Sequence, residues 1–386
     1  MEAYLDNSAT TRAFDSVRDI MMDTLSLDYG NPSSLHKKGI EAEQYIRTAK
    51  DILAKNLKVE SKEILFTSGG TESNNMALIG TALANMRSGK HIITTRIEHP
   101  SVHSPLLYLE EKGFHVTYIP VDQDGRIQME ELVDAVCDDT ILVSVMYVNN
   151  EIGSVQKISE ISRRIKEKNP NLLLHVDAIQ AFGKYRIYPK REGIDLLSIS
   201  GHKIHGPKGS GVLYIRDKVK MKPILFGGGQ QKGIRSGTEN VPAIAGIGQA
   251  VKEIYEDHEQ KKAFLYELKQ TFIEEVLKIN GTTVNGIRLP LIETAPHIVS
   301  VSFEGIRSEV LLHALEGKQV YVSSGSACAS NHTAVSETLK AIGLRDDLLD
   351  STLRFSFSVE TTKEEVRYAV DMLKELVPQL RRFIRH

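Results

Sequence analysis

From Glu63 onward, short apolar runs alternate with longer amphipathic stretches. "EILFTS" leads into a helical stretch from Glu72, "HIITT" into one beginning near Pro100, and "HVTYIPV" into "IQMEELVDAV". "ILVSVMYV" precedes "ISEISRRIKEK", and "NLLLHVD", "IDLLSIS" and "GVLYI" follow. Nearly continuous apolar runs separated by helix-period segments predict an α/β fold with a mostly parallel sheet covered on both faces. In such folds the residues that do chemistry collect at the carboxyl ends of strands, and most of the polar oddities here fall at those ends.

A glycine-rich stretch, "FGGGQQKGIRSGTEN", interrupts the alternation. One long amphipathic segment over 241–279 is expected to follow it and bridge to a second region. There "IVSVSF", "VYVSS" and "LRFSFS" read as strands, and 309–315, 336–342 and 363–384 as helices. The pattern divides the chain into a large domain, 1–256, and a smaller α+β C-terminal domain, 257–386, against which the first residues are expected to pack. A chain of 386 residues is long enough for two cores.

Composition narrows the function classes. With 41% hydrophobic residues, 25% charged residues and a net charge of −2, the chain has no composition-level basic surface for nucleic acid or membrane. No apolar run reaches bilayer length, and "MEAYLDNSATTR" has neither the basic nor the apolar region of an export signal. The only cysteines are Cys137 and Cys328, with no C-x-x-C pair, so a disulfide framework is excluded and a cytoplasmic location is expected.

The candidate chemistry begins at "FTSGGTESNN", where glycines and a threonine stand between a strand and a helix. That turn is either an anion cradle, most often for phosphate, or a plain strand-to-helix connection. "LLLHVDAIQ" ends an apolar strand at Asp177 and sets Gln180 three residues on. A buried carboxylate needs a cation, such as the protonated ring nitrogen of pyridoxal phosphate; the alternative is a helix cap. "SISGHKIHGPKGSG" places Lys203 after a Ser-Gly-His turn at the end of another buried strand. Taken together, these three features describe a pyridoxal phosphate site, with Lys203 forming the Schiff base and Ser200 and His202 contacting phosphate. The pairs His99/His103 and His202/His205 have spacings that occur in metal sites but match no H-E-x-x-H motif, so no metal is expected. His99 is read instead as a ring-stacking group. Cys137, in "LVDAVCDD", reads as a semi-buried packing residue on a helix, and Cys328, in "SSGSACASNHT", as a thiol on a loop. Arg354 is a lone cation in "TLRFSFS", either a structural ion-pair partner or a clamp for a substrate carboxylate.

From "YLDNSATT" to "LRFSFSVETTKEEV" the chain resembles the NifS/IscS-type cysteine desulfurases, fold-type I pyridoxal phosphate-dependent transferases of aminotransferase class V. The motifs that carry the resemblance include "GNPSSLH", "FTSGGTESNN", "IEH", "NNEIG", "HVDAIQ", "SGHKIHGPKG", "GGGQQKGIRSGTEN" and "SSGSACAS". The last is similar to that of the long-loop subgroup. The resemblance implies that Lys203 carries the Schiff base and that Cys328 takes the sulfur of L-cysteine as a persulfide, leaving alanine. It further implies that Asp177 pairs with the ring nitrogen, Gln180 with the phenolic oxygen, and His99 with the ring face. Gly70, Thr71, Ser200 and His202 would hold the phosphate, and Asn150 would lie beside cofactor and substrate. Arg354, aided by Asn7, would hold the substrate carboxylate. Thr238 would reach the phosphate of a second subunit, implying a homodimer. Housekeeping relatives extend beyond the point at which this chain ends, "QLRRFIRH", so the implied sulfur acceptor is either an iron–sulfur scaffold or a tRNA-thiolation enzyme. Selenocysteine lyase or a related β-eliminating activity is the alternative on the same scaffold.

Overall fold

The computed structural model describes residues 1–286, 288–324 and 336–383. Seven of the apolar runs form one sheet: β2 (Ile64–Thr67), β3 (His91–Thr95), β4 (His115–Ile119), β5 (Thr140–Met146), β6 (Leu173–Asp177), β7 (Leu196–Ser200) and β8 (Gly211–Ile215). β1 (Ala3–Tyr4) lies apart from it. The strand order is β2-β8-β7-β6-β5-β3-β4. Neighbours from β7 to β4 run parallel, whereas β8 is antiparallel to both β7 and β2. β2 therefore points the same way as β7, and the carboxyl ends of β2, β3, β5, β6 and β7 share one edge of the sheet.

Side chains of the central strands divide between two cores by simple alternation. Val143, Val145, Leu174, Val176, Leu197, Ile199, Val212 and Tyr214 face one core, which receives Ala42, Ile46, Ala49 and Leu53 from helix Lys37–Leu57 and Ile247, Ala250 and Val251 from helix Val241–Tyr255. Leu142, Leu196 and Leu213 face the other core, with Met76 to Leu78 and with Val102, Leu106 and Leu109 of helix Pro100–Glu111. A strand buried on both faces is apolar at most positions, which explains the nearly continuous apolar runs in the sequence.

A further core joins the antiparallel sheet of β9 (Thr282–Asn285), β10 (Ile298–Phe303) and β12 (Thr352–Ser356), ordered β12-β10-β9, to helices His258–Val276, Ser308–Glu316 and Lys363–Phe383. β1 pairs in parallel with β11 (Val320–Tyr321), and Ala3 and Leu5 are fully buried in this core. The single segment expected over 241–279 is two helices, Val241–Tyr255 and His258–Val276, broken where Asp257 adopts φ 46°. The break has a packing reason: Val251 and Ile254 belong to the first core, Leu265 and Phe272 to this one. Cys137 also departs from expectation. It lies beyond the end of helix Met129–Ala135 and is exposed, with its sulfur 3.4 Å from Thr140 Oγ1 and 3.5 Å from His91 Nδ1. No described helix is long and apolar enough to cross a membrane.

Three central strands share a buried polar link. His175 on β6 is fully buried, with Nδ1 2.8 Å from Ser144 Oγ on β5 and Nε2 3.0 Å from Ser198 Oγ on β7. Burial pushes its pKa down to about 3, so the folded ring is neutral where an unfolded histidine protonates. The unfolded chain therefore binds more protons below the ordinary histidine value, and stability falls as pH drops from about 6.5 towards 3. His175→Gln, which keeps hydrogen-bonding groups but cannot charge, is expected to flatten that decline by roughly 1 kcal/mol per pH unit between pH 6 and 4, measured by urea unfolding.

Candidate functional site

β7 ends at Ser200 and passes into a tight helical turn, Gly201–Lys203. The N–H groups of Ile204 and Gly206 both donate to Gly201 O, and His205 sits at φ 62° to complete the reversal. A segment from the start of the chain laces this turn in place. Lys203 Nζ donates to Ser8 O at 2.5 Å and Ala9 O at 2.8 Å. Thr11 donates to His202 O through both its N–H and its hydroxyl, and the hydroxyl accepts from the His205 N–H. The Lys203 amine is thus held at the carboxyl edge of the sheet.

Asp177, the last residue of β6, is buried. Its Oδ1 accepts from the Ile179 N–H at 3.0 Å, and its Oδ2 accepts from Asn74 Nδ2 at 2.8 Å. Burial raises its pKa, while these two hydrogen bonds and the charges of His99 and Lys203 pull it back. The capping alternative survives only as this two-residue turn. His99 follows β3 and caps helix Pro100–Glu111: Nδ1 accepts from the Ser101 N–H at 3.1 Å and lies 2.8 Å from Ser101 Oγ. Burial lowers the pKa of His99, opposed by Asp177 and reinforced by Lys203. Glu98, beside it, is buried and pushed up to about 8 by that burial; Oε1 accepts from Thr95 Oγ1 and the Met146 N–H, and Oε2 has no partner among the described residues.

Beyond β2 the chain turns through Gly69, at φ 156°, into helix Gly70–Asn75. A Cβ on Gly69 would meet nothing within 4 Å, but Gly70 beside it and Gly211 on β8 have no room for one. A Cβ on Gly211 would meet the Gly69 backbone at 2.6 Å, and one on Gly70 would lie 2.1 Å from Ile179 Cδ1 and 3.5 Å from Ser200 Cβ. Gly70, Thr71, Ser200 and His202 line one cleft of about 410 Å³, together with Thr10 and Lys208. His202 Nδ1 is 3.2 Å from Thr10 Oγ1. Burial, with the charges of Lys203 and Lys208, lowers the His202 pKa to about 4, so at neutral pH this ring meets an anion as a neutral donor.

On the other side of Lys203, Gln180 donates to Ser8 O at 3.0 Å and places Oε1 3.3 Å from His297 Nε2. Arg354 on β12 is buried: Nη1 donates to Asn150 O at 3.0 Å, Nη2 to Asp6 Oδ1 at 2.8 Å, and Nε has no partner among the described residues. The ion-pair reading of Arg354 is therefore real, yet its Nε is left over. Asn7 spends its amide on Tyr4 O and Ser356 O. Thr238 is exposed and lines a separate cleft that shares Ser68 and Gly209 with the first. Cys328 lies outside the described residues. Asp6, Asn74, Glu98 and Lys184 went unnoticed in the sequence reading although each lies in or beside a quoted motif; their pairing across the sheet carries no spacing signal.

Gly70, His99, Asn150, Asp177 and Lys203 come from the ends of five different strands, the arrangement of a ligand site at the carboxyl edge of an α/β sheet. The aminotransferase class-V family model matches residues 3–368. The chain is 44% identical to a cysteine desulfurase IscS of Methanosarcina thermophila over 378 residues, 98% of this chain and 92% of that one. Among solved structures, a NifS-like protein superposes with a TM-score of 0.92 at 38% identity, covering 98% of this chain and all of that one. SspA, solved in complex with cysteine, gives a TM-score of 0.81 at 32% identity over 93% of this chain and all of that one. The chain belongs to the aminotransferase class-V family, among its IscS/NifS-type cysteine desulfurases.

Proposed function

We propose that this protein is a pyridoxal phosphate-dependent cysteine desulfurase that removes sulfur from L-cysteine and carries it as a persulfide on Cys328. The observation that carries this reading is the convergence of the Lys203 amine, the buried Asp177 carboxyl and the His99 ring beside a glycine-walled cleft. The donor set fits the cofactor. The cleft at Gly70, Thr71, Ser200 and His202 accepts a phosphate, and Asp177 offers a ring nitrogen the carboxylate partner that burial otherwise disfavours. When bound, pyridoxal phosphate supplies an electron sink that acidifies the substrate Cα proton. Lys203 would anchor the cofactor, and its amine would be the group that takes that proton. Gln180 would bond the phenolic oxygen and His99 would cover the ring face. Arg354, beside Asn150 and Asn7, receives the substrate carboxylate through its spare Nε. The Cys328 thiolate would attack the substrate sulfur: an S–S bond forms as the C–S bond breaks, Cβ takes a proton, and Cα regains the proton held by Lys203, giving alanine.

The proposed working unit is a homodimer in a reducing cytoplasm, with Thr238 serving the partner subunit's phosphate. In support, exposed apolar side chains gather between Met22 and Ile40, with Leu35 96% exposed, and again at Phe226, 84% exposed. The domain division at 256/257 coincides with the helix break at Asp257. The persulfide would pass to an iron–sulfur scaffold or a tRNA-thiolation enzyme.

Cys328→Ala and Cys328→Ser are expected to bind cofactor and give a spectral change with cysteine, yet release almost no alanine without added thiol. Cys137→Ala is expected to match the parent. Alanine release, with mass analysis of the Cys328 peptide after one turnover, checks this. Near-normal alanine from Cys328→Ala points instead to a β-eliminating lyase, and activity restricted to selenocysteine to a selenocysteine lyase. Arg354→Lys keeps the charge but loses the fork, so KM for cysteine is expected to rise about 10- to 100-fold with cofactor absorbance retained, measured by steady-state kinetics.

A further inference from the structure

Lys184 is a buried lysine for which the reaction above has no use. It is 6% exposed. Among the described residues its ammonium makes one hydrogen bond, to Lys203 O at 2.6 Å, and no ion pair. A cation enclosed without a counter-ion is unfavourable, so a buried lysine aimed at one backbone carbonyl calls for a reason. The turn that carries it is built to reach that carbonyl. Gly183, at φ 82°, donates its N–H to Tyr255 Oη at 3.1 Å, and a Cβ on it would lie 2.7 Å from Ile204 Cγ2. Residues 183–184 therefore press against 203–204.

We propose that Lys184 is a positioning residue for Lys203, its buried ammonium clamping the Lys203 carbonyl so that the Gly201–His205 turn delivers the Lys203 amine to the cofactor. The other fixed carbonyls of the turn are held by neutral groups: Gly201 O by backbone N–H groups, His202 O by Thr11, and His205 O by the Phe14 N–H. Lys203 O alone among these is held by a charge, which makes a stronger hydrogen bond.

The same contact has an electrostatic consequence. Burial, aided by the Lys203 charge, lowers the Lys184 pKa to about 7. Repulsion between two cations is mutual, so a charged Lys184 also favours the uncharged Lys203 amine, the form that attacks a carbonyl. Among the titratable groups facing the pair, Asp177 opposes this effect, whereas His99, His202, His205 and His297 are all shifted by burial towards the neutral form.

This inference rests on Lys203 being the cofactor anchor, and the experiment separates the two claims. Protein stripped of cofactor is given pyridoxal 5'-phosphate at pH 6 to 9, trapped with cyanoborohydride, and the labelled lysine is identified and timed by peptide mass. In the parent, label on a lysine other than Lys203 refutes the anchor assignment. Lys184→Met is expected to fold, to label Lys203 about tenfold more slowly at pH 6.5, and to need higher pH for half-maximal rate. The sign follows because removing a neighbouring cation raises the Lys203 pKa; the difference is largest below about pH 7, where Lys184 is charged. Lys184→Arg, which keeps donor and charge, is expected to label within about threefold of the parent. Parent-like rate and pH profile in Lys184→Met overturn the clamp and leave the anchor intact. Should Lys184→Met fail to fold by circular dichroism, Lys184→Arg decides: folded and labelling supports the clamp, folded and not labelling overturns it. Unfolding of both variants also overturns it, because Lys184 would then be required by the fold rather than by Lys203.

Discussion

The buried carboxyl of Asp177 is the constraint from which the site is assembled. A carboxylate cannot sit at the end of a strand enclosed on both faces unless its oxygens are satisfied and a positive group is at hand. One oxygen takes a backbone N–H two residues on, and the other reaches across the sheet edge to Asn74, in the helix that begins at the Gly69–Gly70 turn. Asn74 in turn donates to Ser101 Oγ, which lies beside the His99 ring. A single acidic group thus ties the glycine-walled cleft to His99, and burial shifts the pKa values of Asp177 and His99 away from their ordinary ranges.

A second consequence of the topology is the use made of the first twelve residues. They pack with the core of the C-terminal region through Ala3 and Leu5, pair Asp6 with Arg354, bond Asn7 to Ser356, and then cross to lace the Lys203 turn through Ser8, Ala9 and Thr11. The candidate carboxylate clamp and the candidate cofactor anchor are therefore joined by a few covalently linked residues. Any displacement of one core relative to the other would be felt by both groups at once. Arg354 is also paired through its backbone with Ser323, just before the residues that bear Cys328.

Charge distribution around the site is uneven. Lys184 and Arg354 are buried and Lys203 is half-buried, whereas burial holds His297 towards its neutral form and pushes Glu98 towards its protonated form. Such an enclosure favours anionic ligands, and both the phosphate of the proposed cofactor and the carboxylate of the proposed substrate are anions.

What the sequence determined by itself was the set of elements and the identity of the chemical groups. Strands buried on both faces are apolar at most positions, so "ILVSVMYV", "LLLHVD" and "LLSIS" were legible as central strands, and Asp177 and Lys203 stood out because one ends and the other closely follows such a run. The sheet order, the antiparallel course of β8 and the break at Asp257 were not legible, because apolar periodicity records which face is buried and not which neighbour buries it. Only the tertiary structure decided that Arg354 meets Asp6, that Asn74 meets Asp177 and that Lys184 meets Lys203. Those partners lie 348, 103 and 19 residues apart, and hydrogen bonds over such separations arise from how the sheet brings strand ends to one edge, which no local pattern encodes.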